Sequence, residues 1–219
     1  MSKTYSCEGE RNRELALTAA VDAVKAGRLV VLPTDTLYGI GCDAFNTYSV
    51  ANLLAAKHRG PDMPVPVLVG SWDTIQGLVA VYPQAARDLV EAFWPGGLSI
   101  VLPQAPSLQW NLGDTRGTVM LRMPLHPIAI ELLRRTGPMA VSSANISGHT
   151  PPTTAQEAET QLGKSVSVYL DGGQAPVGTP SSIIDLSGPI PRLLREGAIS
   201  AEAIAEVLGC SADALRGTP

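Results

Sequence analysis

What the chain has little of narrows the field first. Only three cysteines occur in 219 residues, at Cys7, Cys42 and Cys210, with no C-x-x-C pair. An odd, scattered set of thiols argues against a disulfide framework or a cysteine zinc site and suits a reducing cytosol. Aromatics make up 5% of the residues, so aliphatic side chains and alanine must fill the core. No apolar run approaches the roughly 18 residues of a membrane span. The N-terminal "MSKTYSCEGERNRE" lacks the apolar stretch of a signal peptide. These absences predict a soluble, cytoplasmic protein.

Motifs are missing too. There is no G-x-x-x-x-G-K-[ST], no G-x-S-x-G and no H-E-x-x-H, which sets aside a P-loop, a serine nucleophile elbow and a zincin. No carboxylate-rich metal motif is present, so a metal is expected to arrive with a nucleotide, as Mg²⁺ does through phosphate oxygens. Gly39-x-Gly41-x-x-Ala44 matches a loose dinucleotide fingerprint. "PTDTLY" separates it from the preceding strand, however, and no acidic residue ends a following strand about 20 positions on, so a nicotinamide site is rejected. The net charge of −4 weighs against nucleic-acid binding by the whole surface. Lys57, Arg59, Arg122, Arg192 and Arg195 can still converge in a local basic pocket.

What is there alternates. "NRELALTAAVDAVKA" (12–26) has helical apolar spacing and stops at Gly27, and "RLVVLP" reads as a buried strand. Helices follow at "TYSVANLLAAKHR", "PQAARDLVEAFW", "HPIAIELLRRTG" and 200–208. Strands follow at "VPVLVG", "LSIVLP", "GTVMLRMP", "PMAVSS", "VSVYLDGG", "SSIIDL" and "PRLLREG". Ser71 is placed to cap a helical turn, Pro127 suits a first helical turn, and His126 precedes it as an N-cap. The expected fold is α/β: a single domain over 1–219, with its core at about 12–208 and a flexible tail at 210–219. Its twisted, largely open sheet is flanked by helices. Because the late strands follow one another without helices, that sheet should be mixed.

Polar residues gather at strand ends, where ligands of open α/β sheets collect. Thr34, Asp35 and Thr36 follow one strand and suit either a ligand or an ordinary side-chain-bonded turn. Lys57-x-Arg59 closes a helix at Gly60-Pro61. Cations there favour the helix dipole, and they equally suit a phosphate; His58 between them is expected to face solvent. Arg122, on an apolar strand, is either an edge charge or an anion receptor, with a ligand carboxylate as its natural partner. "VSSANISGHTPPT" (141–153) gathers hydroxyls and an amide, and "GTPSSIIDL" and "LLREG" repeat the pattern with Ser181 and Arg195.

Together "PTDTLYGIGCDA", "KHRGPDMPVPVLV", "WPGGLSIVL", "VMLRMPLHP", "VSSANISGHTPPT" and "GTPSSIIDL…LLREGAI" closely resemble the Sua5/YrdC/YciO family over roughly residues 14–200. The Lys57-x-Arg59 and Ser143-x-Asn145 pairs are its signature. The resemblance implies a YrdC-like domain with a large basic cavity and threonylcarbamoyl-AMP synthase activity: L-threonine, bicarbonate or CO₂, and ATP give threonylcarbamoyl-AMP and pyrophosphate. That product feeds the t6A modification of tRNA through a downstream transferase. Some relatives carry an extra C-terminal domain, and this chain is similar to the short type.

Position by position, the resemblance implies threonine contacts at Thr34, Arg122, Ser143 and Ser181. It implies nucleotide and phosphate contacts at Lys57, Arg59, Thr118, Asn145, Thr153 and Arg195, with Lys57 and Arg59 catalytic and Mg²⁺ carried by ATP. Met63 and Leu68 depart from the common pattern, which has Asn and His there. Two competing readings are a YciO-like paralogue with another adenylating activity and a module binding double-stranded RNA or tRNA, which salt-dependent tRNA binding without ATP turnover would favour.

Overall fold

Val30, Val31 and Leu32 are all buried, yet they pack on different partners. Val31 joins an apolar cluster with Ile40, Val67 and Tyr169, whereas Val30 and Leu32 join a second with Leu17, Leu132 and Leu170. Such a period-2 division marks strands covered on both faces. In this computed structural model, which describes residues 2–217, the strands are β1 (Lys3–Ser6), β2 (Val30–Leu32), β3 (Gly39–Asp43), β4 (Val67–Leu68), β5 (Leu98–Pro103), β6 (Thr118–Arg122), β7 (Met139–Ser143), β8 (Val168–Asp171), β9 (Ser182–Asp185) and β10 (Arg192–Arg195). The helices are α1 (Glu10–Lys25), α2 (Thr47–Ala56), α3 (Ile75–Leu78), α4 (Gln84–Phe93), α5 (Pro127–Thr136), α6 (Ala155–Leu162), α7 (Ala201–Leu208) and α8 (Ala212–Arg216).

One sheet contains all these strands, in the order β1-β8-β2-β3-β7-β4-β6-β5-β9-β10. Four neighbouring pairs are parallel and five antiparallel, so the mixed α/β sheet is as expected. Helices α1 and α5 cover one face of the β1-to-β7 half. The opposite face is covered along its length by residues of α2, α4, α6 and α7. In β5 and β6, Leu98, Ile100, Val119 and Leu121 point into that second layer. Their alternates, Ser99, Met120 and Arg122, point to the face that α1 and α5 do not reach and border open space instead. That exposed half-face is the floor of the cavity described below. Among the described residues, no helix is long and apolar enough to cross a membrane.

Several sequence expectations change. Gly39 and Gly41 lie within β3, between β2 and β7, and a Cβ at Gly39 would come within 2.6 Å of Val141 Cγ1. The glycines serve close strand packing rather than a dinucleotide turn. His126 takes the N-cap position of α5, but its side chain makes no cap bond and Pro127 starts the helix without it. Residues 210–217 do not form a frayed tail: Ser211 caps α8, Leu215 is buried, and Arg216 pairs with Glu196 and Glu202 at 3.0 Å. Thr218 and Pro219 lie outside the described residues.

Candidate active site

The cavity, about 340 Å³, is built from segments far apart in the chain. The β2–β3 turn supplies its first wall. Thr34 Oγ1 donates to Leu37 O (2.6 Å) and accepts from the amides of Thr36 and Leu37 (both 3.2 Å). The side-chain-bonded turn is therefore the arrangement present, and Thr34, while shaping it, also lines the cavity.

Beside it, Arg122 is 6% exposed. It is neither an edge charge, since β6 lies between β4 and β5, nor without a carboxylate of its own. Its Nη2 donates to Asp35 Oδ1 at 2.6 Å, Nη1 to Thr36 Oγ1 at 2.9 Å and Nε to Gly96 O at 2.8 Å. A guanidinium carries five N–H groups, so one remains on each terminal nitrogen for a ligand. Burial draws the Arg122 pKa down from the ordinary arginine value, and Asp35 opposes that shift.

The second wall comes from the end of α2. Its last turn closes with Arg59 N bonded to Leu54 O and His58 N to Ala55 O, each at 3.0 Å, and His58 takes φ +52. This is the left-handed helix stop usually filled by glycine. It sends exposed His58 outward and turns both flanking cations toward the cavity. Lys57, 2% exposed, donates from Nζ to the carbonyl of Ser143 and, at 2.6 Å, to that of Asn145. Arg59 donates to Ser142 Oγ (3.1 Å) and Pro64 O (3.2 Å), and its Nε is buried without a partner. The helix-dipole reading of Lys57-x-Arg59 thus gives way to one in which both side chains line a hollow.

The third wall is the β7 end. Asn145 Nδ2 donates to Ile146 O (2.9 Å) and His149 O (3.0 Å), which leaves Oδ1 buried and unpaired. Opposite, Arg195 grips Ser181 O from Nε (2.9 Å) and Nη2 (2.8 Å), and Ser181 Oγ lies 2.9 Å from Ser99 Oγ.

Lys57, Arg59, Arg122 and Arg195, together with Thr34, Ser143, Asn145 and Ser181, line this one space. Three expected residues do not reach it. Arg192 is exposed on the edge strand. Thr118 shares the Arg122 face but lies at the far end of β6, its hydroxyl given to Thr115 O at 2.7 Å. Thr153 gives its hydroxyl and amide to Glu157 Oε2, the carboxylate of the α6 capping box. Ser99, Met120 and Ile183 were missed, because inside apolar strands they read as packing. Met63 and Leu68 also border the cavity.

Burial, and then the neighbouring Arg59 charge, push the Lys57 amine down to about 8. The unfolded chain therefore holds that proton between pH 8 and the free value of 10.5, where the folded chain has released it. Stability contributed by this group rises with pH across that window and is lowest below pH 8. The cavity's preference for an anion runs the other way, since only protonated Lys57 attracts one. Cys7 and Cys42, pushed up by burial to about 11 and about 12, stay as thiols at neutral pH. Among the described residues no cluster of three His, Cys, Asp or Glu is arranged for a metal ion, and the cavity lining carries no carboxylate. Its donor set fits an anion rather than a bare cation.

An α/β domain whose half-bare sheet floors a cation- and hydroxyl-lined cavity is the class defined here. A profile of the Sua5/YciO/YrdC family, described as "Telomere recombination", matches residues 22–197, and this chain belongs to that family. A Mycobacterium tuberculosis protein named "Putative threonylcarbamoyl-AMP synthase" is 61% identical over 99% of this chain and 100% of its own length. P. abyssi Sua5, solved in complex with L-threonine, superposes with a TM-score of 0.88 at 33% identity, covering 95% of this chain and 61% of that one. E. coli YciO shares the fold, with a TM-score of 0.82 at 24% identity over 93% of this chain and 100% of that one.

Proposed function

We propose that this protein is a threonylcarbamoyl-AMP synthase, a nucleotidyltransferase that joins L-threonine, bicarbonate or CO₂, and ATP. Its pyrophosphate is released, and its adenylate is passed to the transferase that makes t6A in tRNA. The observation that carries the reading is the cavity itself. Four cations from the end of α2, β6 and β10, and hydroxyls from the β2–β3 turn, β5, the β7 end and the start of β9, face one space, in a chain 61% identical over nearly its whole length to a relative of that name.

Threonine's amine and bicarbonate give a carbamate, already an anionic nucleophile. Its oxygen attacks the α-phosphorus, the bond to the bridging oxygen breaks, and the electron pair leaves on pyrophosphate. No general base is needed for that step, in keeping with a lining free of carboxylate and imidazole among the described residues. Catalysis rests on position and charge: Lys57, Arg59 and Arg195 neutralise the phosphates, and Asn145 orients the nucleotide. Arg122 takes the threonine carboxylate on its two free N–H groups, while Thr34, Ser143 and Ser181 hold the rest of the amino acid. Mg²⁺, when bound, offsets phosphate charge as a ligand of ATP.

Pyrophosphate release should require both threonine and bicarbonate. Turnover that persists with either one omitted would select the YciO-like reading. Arg122→Ala should raise the threonine KM and leave ATP binding within about twofold, as expected for a lost carboxylate clamp. A variant that loses ATP binding and keeps threonine binding reverses the assignment. ATP affinity should fall above pH 8, by up to about tenfold per pH unit, as Lys57 loses its proton. Titrations at pH 7 and 9, with a flat profile expected for Lys57→Met, check the sign.

A further inference from the structure

The wall carrying Arg59 is not held by its own secondary structure. Residues 60–63 between α2 and β4 are exposed, without regular helix or strand, yet Met63 and Pro64 border the cavity and Pro64 O accepts from Arg59 Nη2. What fixes this segment is a remote turn in the β5–β6 connection. Val65 N donates to Leu112 O (2.9 Å) and Asp114 N to Pro61 O (2.7 Å), one bond on each side of Pro64. Gly113 lies between those two points at φ +96, so close that a Cβ would come within 2.6 Å of Pro61 O and 3.3 Å of Pro64 Cα. The turn is itself anchored: Leu112 is buried, Asn111 Oδ1 accepts from Gly113 N at 3.2 Å, and Trp110 stacks on Phe45 with ring centroids 5.3 Å apart.

We propose that Asn111–Asp114 is a positioning element for Arg59, with Gly113 as the residue that sets the distance. It touches no substrate and acts through Pro61 and Pro64. The proposal rests on the reading that Arg59 serves the triphosphate. Any side chain at 113 meets both the left-handed backbone and the Pro61 carbonyl, and pushes the 60–65 wall, with the Arg59 acceptor, away from the cavity.

The test compares ATP and L-threonine separately, by titration calorimetry on the full chain, alongside pyrophosphate release. Gly113→Ala should lower kcat/KM for ATP by about 10²-fold, the scale for a misplaced catalytic group, and leave threonine affinity within about twofold. Asn111→Ala, an exposed substitution that adds no clash, keeps the experiment informative if Gly113→Ala folds poorly. It should weaken ATP binding several-fold and again spare threonine. Equal losses for both ligands, or no loss for ATP, overturn the proposal. A wild-type protein that binds threonine but neither ATP nor pyrophosphate overturns the functional reading, and this inference with it. Normal wild-type turnover with unchanged variants overturns this inference alone.

Discussion

Lys57→Ala should reduce pyrophosphate release by at least ~10²-fold at saturating threonine and ATP, the scale for losing a preorganised donor to transition-state charge. The argument starts from cost. An ammonium that is 2% exposed, with a neighbouring guanidinium that further lowers its pKa, is held at an energetic disadvantage by the folded chain. Two carbonyls, of Ser143 and Asn145, offset part of that cost. An arriving polyphosphate offsets the rest, and more so as charge builds on the leaving group. Arg59→Ala should fall on the same scale. Lys57→Arg separates charge from fit: it keeps the cation but not the compact reach to two carbonyls, so it should remain well below wild type. Near-normal pyrophosphate release by Lys57→Ala and Arg59→Ala would refute the role, whatever happened to stability.

The second large effect is on stability. Asp35→Ala should destabilise the fold by about 3–5 kcal/mol, because it leaves the buried Arg122 charge without its carboxylate. Asp35 Oδ1 also accepts from the amide of Leu125 at 2.9 Å, so one substitution breaks a buried ion pair and a partly buried hydrogen bond. For a chain of this size the loss corresponds to roughly 6–20 °C in Tm. Adding Arg122→Met should recover much of it, since an apolar pair of similar volume is often no worse than a buried ion pair. Thermal melts of the two single variants and the double variant decide this. A drop under about 1 kcal/mol for Asp35→Ala would mean that water or backbone already serves Arg122.

The ion pair marks where sequence reasoning stops. Arg122 stood out as a cation in an apolar strand, and Asp35 as an acid at a strand end, but 87 residues separate them and only the folded sheet brings them together. The same reasoning succeeded wherever the signal was local. Short apolar runs located β2, β5, β6 and β7, and a Gly-Pro break located the turn that aims Lys57 and Arg59. It missed β3 because Gly39–Asp43 offers glycines rather than alternating apolar residues. It missed α6 because its apolar stripe is thin, although Thr154-x-x-Glu157 forms the capping box that announces it. Thr118 and Thr153 have the right residue type in the right blocks, yet neighbouring acceptors claim their hydroxyls. The family resemblance carried the function further than periodicity did, since no count of strands says which anion a cavity takes.

Because the lining runs from Thr34 to Arg195, the pocket cannot exist in a fragment that lacks either end of that span. It closes only when the first and last thirds of the polypeptide have met across the sheet. Every calorie of ligand affinity therefore accrues to the finished native state and none to partly assembled chains. A substrate added during renaturation would act as a sensor of completed folding, saturating only as the last strands dock.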